Sequence, residues 1–83
     1  QFKAEARRNK LIGLWAACLM GKDGDDALAY AKEVIKADFE EAGDEDVYRK
    51  LFKDVGHLSD EATIRAKMAD FMAQAKDQLM NEV

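Results

Sequence analysis

The sequence predicts an all-α fold, an irregular antiparallel four-helix bundle, on three observations. None of the 83 residues is proline, and the apolar residues recur three and four positions apart, which is the spacing of one helix face. Glycines stand at Gly21, Gly43 and Gly56, where a helix end or a turn is expected. Acidic or hydroxyl residues follow each of them, as they do at helix starts.

The first helix is predicted over residues 1–20 and ends at Gly21. It contains no Ser, Thr or Asp that could cap its start. Its core-facing side chains are expected at Leu11, Leu14, Trp15 and Cys18. The apolar stripe does not continue before Leu11, so residues 1–10 are predicted to project past the core as the start of this helix.

The other three helices are predicted over residues 25–39, 44–55 and 59–82. The apolar face of the second consists of Leu28, Ala31, Val34, Ile35 and Phe39. That of the third consists of Tyr48, Leu51, Phe52 and Val55, and that of the fourth of Ile64, Met68, Phe71, Met72, Ala75 and Leu79. Helices of such unequal length favour an irregular bundle. With no repeat or linker in the sequence, residues 1–83 are predicted to form a single domain.

Charge and cysteine content narrow the class of protein. A net charge of -4 argues against nucleic acid or an anionic membrane as partner, because both attract a dominant basic surface. Cys18 is the only cysteine, which excludes a disulfide within the chain and favours a reducing compartment. No secretory signal or long apolar run is present. We therefore expect a cytoplasmic protein that does not insert into membranes.

Four stretches of the sequence carry a family resemblance. They are FKAEARRNKLIGLWAA at 2–17, YAKEVIKADFEE at 30–41, GDEDVYRKLF at 43–52 and IRAKM at 64–68. In this order they resemble the zeta subunit of bacterial F-type ATP synthases. The resemblance extends over nearly the whole chain.

This resemblance implies an inhibitor protein without a cofactor rather than an enzyme. Members of that family have a four-helix globular domain preceded by a mobile N-terminal segment. The segment becomes helical on entering an interface between the alpha and beta subunits near gamma, and it blocks rotation in the ATP-hydrolysing direction. Because Gln1 falls where the family's first folded helix is already under way, the chain is expected to be the globular domain without that segment. Ala42 stands where the family pattern has a proline, which loosens one turn.

The expected contacts with this partner lie at the start of the first helix. We predict that the residues nearest the partner are Phe2, Lys3, Glu5, Arg7 and Arg8. Phe2 would be an apolar anchor, while the charged residues would steer the approach and fix the register. The alternative is that Phe2 frays or folds onto a neighbouring helix, since single exposed apolar residues are common.

Two acidic stretches resemble parts of a metal site. The run DGDD at 23–26 looks like the start of a calcium loop, but the twelfth position counted from Asp23 holds Val34 instead of a bidentate Glu. Helix capping explains this run, and a solvated loop that leads into a helix explains the carboxylates of 40–46. We therefore predict no metal site.

Two further hypotheses are a catalytic site and a site for a small ligand. His57 lies in a predicted turn beside Asp54 and Ser59, but no oxyanion-hole motif accompanies them, so no catalytic residues are predicted. Aromatic and methionine side chains, among them Trp15, Tyr30 and Tyr48, could line a pocket instead of the core. No Walker or Rossmann motif is present. A small-ligand or nucleotide-responsive module, with weak binding of ATP or ADP, is the alternative function.

Overall fold

The computed structural model describes residues 2–38 and 45–81. This part of the chain forms four helices and no strand, which confirms the all-α four-helix prediction. The helices are α1 (Phe2–Leu19), α2 (Gly24–Asp38), α3 (Glu45–Val55) and α4 (Glu61–Met80). Phe39, the predicted end of the second apolar face, and the carboxylates of residues 40–44 lie outside the described residues, as does the side chain of Phe2.

The predicted helix-end and helix-start signals act as expected at two places. Gly21 has a φ of 78°, and its N–H donates to the Cys18 carbonyl while the Lys22 N–H donates to that of Ala17. This pair of bonds is the Schellman arrangement, which favours glycine. At the start of α4, the Asp60 carboxylate accepts a 2.7 Å hydrogen bond from the Thr63 N–H and caps the helix.

The predicted core stripe of α1 is wrong by about one position. Cys18 is exposed and Leu11 is only partly buried, whereas Ile12 and Ala16 are completely buried. The reason is a close approach between α1 and α2, because a Cβ atom on Gly13 would lie 2.7 Å from the Cα atom of Ala31. Helices that approach this closely place their smallest residues at the contact and their larger ones beside it. Leu14 and Trp15 accordingly pack against the core from its edges.

The predicted projection of residues 1–10 is also not seen where the structure describes side chains. Ala4, Arg8 and Asn9 are at most 4% exposed. Arg7 Nη1 donates a 2.9 Å hydrogen bond to Gln78 Oε1 near the end of α4. The buried face of α1 therefore continues to its first turns, because the long helix α4 runs beside them.

The apolar faces of the other helices are partly as predicted. Residues predicted in the core and found buried are Ala31, Val34, Leu51, Val55, Ile64, Met68 and Ala75. Leu28 and Phe52 are 44% and 47% exposed, contrary to prediction. Ala27, next to Leu28, and Val47, next to Tyr48, are buried although neither was predicted in the core. Tyr30, which did not fit the predicted stripe of its helix, is 4% exposed and belongs to the core.

The helices pack antiparallel in two pairs. In the α1–α4 pair, Arg7 contacts Gln78 while Trp15 lies 6.0 Å from the ammonium of Lys67, so the residue numbers run in opposite directions. In the α2–α3 pair, Tyr30 contacts Asp54 while Glu33 contacts Lys50. The molecule measures 38 × 27 × 22 Å. None of the four described helices is long and apolar enough to span a bilayer.

Candidate functional site

The first candidate site is the N-terminal end of α1, where the partner-binding residues were predicted. Lys3 is exposed, Glu5 and Arg7 are partly buried, and Arg8 is 1% exposed. Only part of the predicted set is thus accessible, and Lys3 is the most accessible of the four side chains that the structure describes there. The exposed residues at the start of α1 form a surface that a partner could contact.

Arg8 has a structural role that sequence reasoning did not foresee. Its Nε donates a 2.7 Å hydrogen bond to Oδ1 of Asn9, and both side chains are buried. Asn9 Nδ2 is buried and meets no hydrogen-bond acceptor among the described residues, which costs stability because amide groups are strongly solvated in water. Two polar side chains in succession thus lie inside the bundle and fix the rotation of α1 about its axis.

The second candidate site is a groove of about 480 Å³ along α4. It is lined by Arg8, Arg65, Met68, Ala69, Met72, Ala73 and Lys76. The α4 residues in this set recur at three- and four-residue spacing, so they form one stripe along the helix. The stripe has small and apolar residues in the middle and a cation at each end. The sequence analysis placed Met68 and Met72 on the core face, and Met68 is buried as predicted. It did not single out the cations, although their spacing was the available signal.

The third feature is a polar cluster that joins α2 to α3. The Tyr30 hydroxyl donates a 2.8 Å hydrogen bond to Asp54 Oδ2, to which Lys50 Nζ also donates at 3.0 Å. Lys50 Nζ also lies 3.2 Å from Glu33 Oε1. Burial raises the pKa of Asp54, but the hydrogen bonds from Tyr30 and Lys50 outweigh it and hold this pKa below its usual value. Burial and the adjacent carboxylate raise the pKa of Tyr30, so its hydroxyl stays a donor.

The residues considered for catalysis and metal binding are not assembled into such sites among the described residues. The Asp54 carboxylate faces Tyr30 and Lys50, while His57 is exposed in the following turn. Asp23 directly precedes α2, and residues 24–26 lie in its first turn, where the Asp26 N–H donates to the Asp23 carbonyl at 3.1 Å. No three acidic, histidine or cysteine side chains in the described part are close enough to hold a metal ion.

The aromatic residues considered for a small-molecule pocket lie in three different places. Trp15 lies beside Lys67 at the edge of the core, and Tyr30 lies between α2 and α3. Tyr48 lies under the guanidinium of Arg65, 3.9 Å from its ring centroid, and stacks on Phe52. These rings stabilise separate helix contacts and do not line a common cavity.

A family model described as ATPase inhibitor subunit zeta matches residues 1–78. A protein with a solved solution NMR structure is 63% identical over 100% of this chain and 98% of its own, with a TM-score of 0.91. No curated protein matches significantly.

Proposed function

Because the chain belongs to the family of ATPase inhibitor subunit zeta, we propose that it is a non-catalytic regulator that restrains ATP hydrolysis by an F-type ATP synthase. The observation that carries the proposal is the family match, which extends over residues 1–78. The four-helix architecture is compatible with this role, since it offers helix ends and grooves for a protein partner. A cytoplasmic location is part of the proposal, because the exposed thiol of Cys18 suits a reducing compartment.

The partner surface in this proposal is the start of α1. Lys3 is exposed, and Glu5 is accessible in part, so their charges can reach a partner. Arg7 is held by Gln78, and Arg8 is buried beside Asn9. We therefore assign partner contact to Phe2, Lys3, Glu5 and Arg7, and we assign to Arg8 the fixing of α1 within the bundle.

The inhibitory step in this proposal takes place at the interface of the alpha and beta subunits near gamma. A helix that continues α1 in the N-terminal direction would enter this interface and oppose rotation in the hydrolytic direction. Such a helix would be held by a rigid base, because the first turns of α1 pack against α4 through Arg7 and Gln78. Docking by a segment that orders on binding typically costs about 2–5 kcal/mol, and a preformed base reduces the length that must order.

The direction of inhibition is the first test. The protein is added to purified ATP synthase, and hydrolysis and synthesis are measured separately. We expect it to suppress hydrolysis while it leaves synthesis largely unchanged. Equal suppression of both directions, or of neither, would contradict a one-way inhibitor.

The location of the contact is the second test, and the chain offers a matched control. Lys3→Cys combined with Cys18→Ser places the only thiol at the start of α1, whereas the unaltered chain carries it about 22 Å away along the same helix. With a photoreactive thiol label, we expect crosslinks to alpha, beta or gamma from position 3 and few from position 18. The reverse pattern would exclude the start of α1 as the contact.

A second candidate function is a response to nucleotides, and the groove along α4 favours it. Arg65 and Lys76 lie at its ends, and the partly buried Met72 supplies an apolar surface between them. Phosphate groups would interact with the cations and a base with Met72. Titration with millimolar ATP, followed by amide chemical shifts, should perturb this stripe. Unchanged shifts along α4 would remove the candidate.

A further inference from the structure

A second groove, of about 650 Å³, lies between α2 and α3 on the side of Lys50. It is lined by Glu33, Lys36, Ala37, Asp46, Arg49, Lys50 and Lys53. Four of these side chains are cationic and two are anionic, although the whole chain carries a net charge of -4. The groove is therefore a locally basic surface on an acidic protein.

The middle of this groove is held in place by ion pairs. Lys50 Nζ contacts Glu33 Oε1 at 3.2 Å and Asp54 Oδ2 at 3.0 Å, and Arg49 pairs with Asp46. Burial alone would lower the pKa of Lys50, but its hydrogen bonds to Asp54 and Glu33 raise this pKa by more than burial lowers it. This lysine therefore stays charged. Because these cations are already fixed, an occupant would not have to order them on binding.

The two ends of the groove carry Lys36 and Lys53, which are both exposed. They lie in the last turns of α2 and α3. Because Glu33 lies opposite Lys50 in this antiparallel pair, position 36 lies opposite position 47. Lys53 is six residues farther along α3, which corresponds to a rise of about 9 Å. Because packed helix axes are about 8–10 Å apart, the two positions are separated by about 12–13 Å. An extended peptide covers this distance in about four residues.

The spacing of the charges decides between kinds of anion. The carboxylate of Glu33 lies in the middle of the groove beside Lys50, and that of Asp46 lies near its Lys36 end beside Arg49. Both would repel a compact polyphosphate with its concentrated charge. A peptide with separate carboxylates can place one at Lys36 and another at Lys53 while its neutral backbone crosses between them. The pattern therefore suits a chain of separate single charges.

We propose that the α2–α3 groove is a docking site for an acidic, extended segment of a protein partner. Two clamped cations in the middle and two exposed lysines at the ends would give the segment its position and direction. Electrostatic attraction of this kind chiefly accelerates association and selects the partner. The inference rests on the proposed function in one respect, which is that the segment belongs to the ATP synthase. It adds a contact surface that is separate from the start of α1.

The test uses a capped decapeptide rich in glutamate, titrated into the isotope-labelled chain and followed by NMR. We expect shifts centred on Lys36, Arg49 and Lys53, and we expect Lys36→Gln with Lys53→Gln to weaken binding at least tenfold. Lys36→Arg with Lys53→Arg should retain it. The matched control is Lys10→Gln with Lys22→Gln, which removes two exposed lysines outside the groove and should leave the affinity unchanged.

Several results would overturn the proposal. The first is that the Lys36/Lys53 and Lys10/Lys22 glutamine variants bind the peptide with equal affinity. The second is that the shifts are centred outside the groove. The third is that inorganic triphosphate binds more tightly than the peptide at the same residues. Melting temperatures of both double variants show that each is folded. Because no ATP synthase is present, failure here leaves the proposed function standing. Loss of the one-way inhibition described above would equally leave the groove measurement intact.

Discussion

At the scale of the residue, Gly13 determines how closely α1 and α2 approach. The position of a Cβ atom there would be 2.7 Å from a backbone atom of Ala31, and backbone cannot move aside as a flexible side chain can. This contact explains why Ile12 and Ala16 are buried while Leu11 and Cys18 lie farther out. Hydrophobicity alone could not reveal it, because a small residue contributes little to an apolar stripe even where the packing depends on it.

The corresponding prediction concerns Gly13→Ala. Alanine favours helices over glycine by up to about 1 kcal/mol, but the overlap with Ala31 forces the helices apart. We expect the free energy of unfolding to fall by about 1–3 kcal/mol, as measured by urea denaturation. Ala29→Leu, on the exposed side of α2, is the control and should change it little. Stabilisation by Gly13→Ala would show that the helices can separate without cost.

The Tyr30–Asp54 contact leads to a second prediction at this scale. Tyr30→Phe removes the donor to Asp54 Oδ2, and we expect a loss of about 1.5 kcal/mol at neutral pH, since the acceptor is charged. Tyr48→Phe is the matched control, because the structure gives the Tyr48 ring contacts with Phe52 and Arg65 that the substitution retains. Equal losses from the two variants would argue against a specific role for the Tyr30 hydroxyl.

The same contact predicts a pH dependence. The pKa of Asp54 is lower in the folded chain than in the unfolded chain, so its contribution to stability is complete above about pH 4 and is lost as the pH falls through the folded-state pKa. Asp54→Asn should therefore flatten the acid side of a stability profile recorded between about pH 2 and 6. Asp70→Asn, which alters an exposed carboxylate on α4, should leave that limb unchanged.

At the scale of the element, helix positions were predictable and helix faces were less so. Gly21 and Asp60 are local signals, and their effects depend on the few residues beside them. The buried face depends on a partner helix that no local pattern specifies. Thus Val47 is buried in the core, whereas Phe52, which was predicted there, is exposed. Arg8 was misplaced for the same reason, because α4 covers it from the other end of the sequence.

The cap of α4 supplies the prediction at this scale. The Thr63 N–H donates to the Asp60 carboxylate, and this bond lowers the pKa of Asp60. Asp60→Ala should lower the melting temperature by several degrees and increase hydrogen exchange in the first turn of α4. Asp60→Asn keeps an acceptor and should lose less. Asp70→Ala, in the middle of the same helix, controls for removal of a carboxylate, and an equal effect would exclude capping as the cause.

At the scale of the whole molecule, the matched lengths of α1 and α4 explain why the first turns of α1 are packed. The helices have 18 and 20 residues, which correspond to about 27 and 30 Å. In antiparallel contact, the start of α1 has to cover the last turns of α4, where Met72 and Leu79 are partly buried. The sequence contained both lengths, but the projection was inferred from one helix considered alone.

We therefore predict that removal of residues 1–9 destabilises the domain by at least about 2 kcal/mol, because Ala4, Arg8 and Asn9 leave buried positions and α4 loses its cover. Urea denaturation measures the change. Lys3→Ala is the control, since Lys3 is an exposed residue of the same segment, and it should have little effect. If the deletion were equally harmless, the first turns of α1 would not belong to the cooperative unit.

The hydrogen bond between Arg7 and Gln78 places the beginning and the end of the described chain side by side. A short linker from α4 to α1 could therefore join them, and the new ends could be opened in the turn at 21–23, where residues are exposed. Such a circular permutant would keep the helix packing while turning the start of α1 into a closed loop. It would show whether the bundle stays stable when the start of α1 is tied into a loop. Deletion cannot show this, because it removes packed residues together with the helix end.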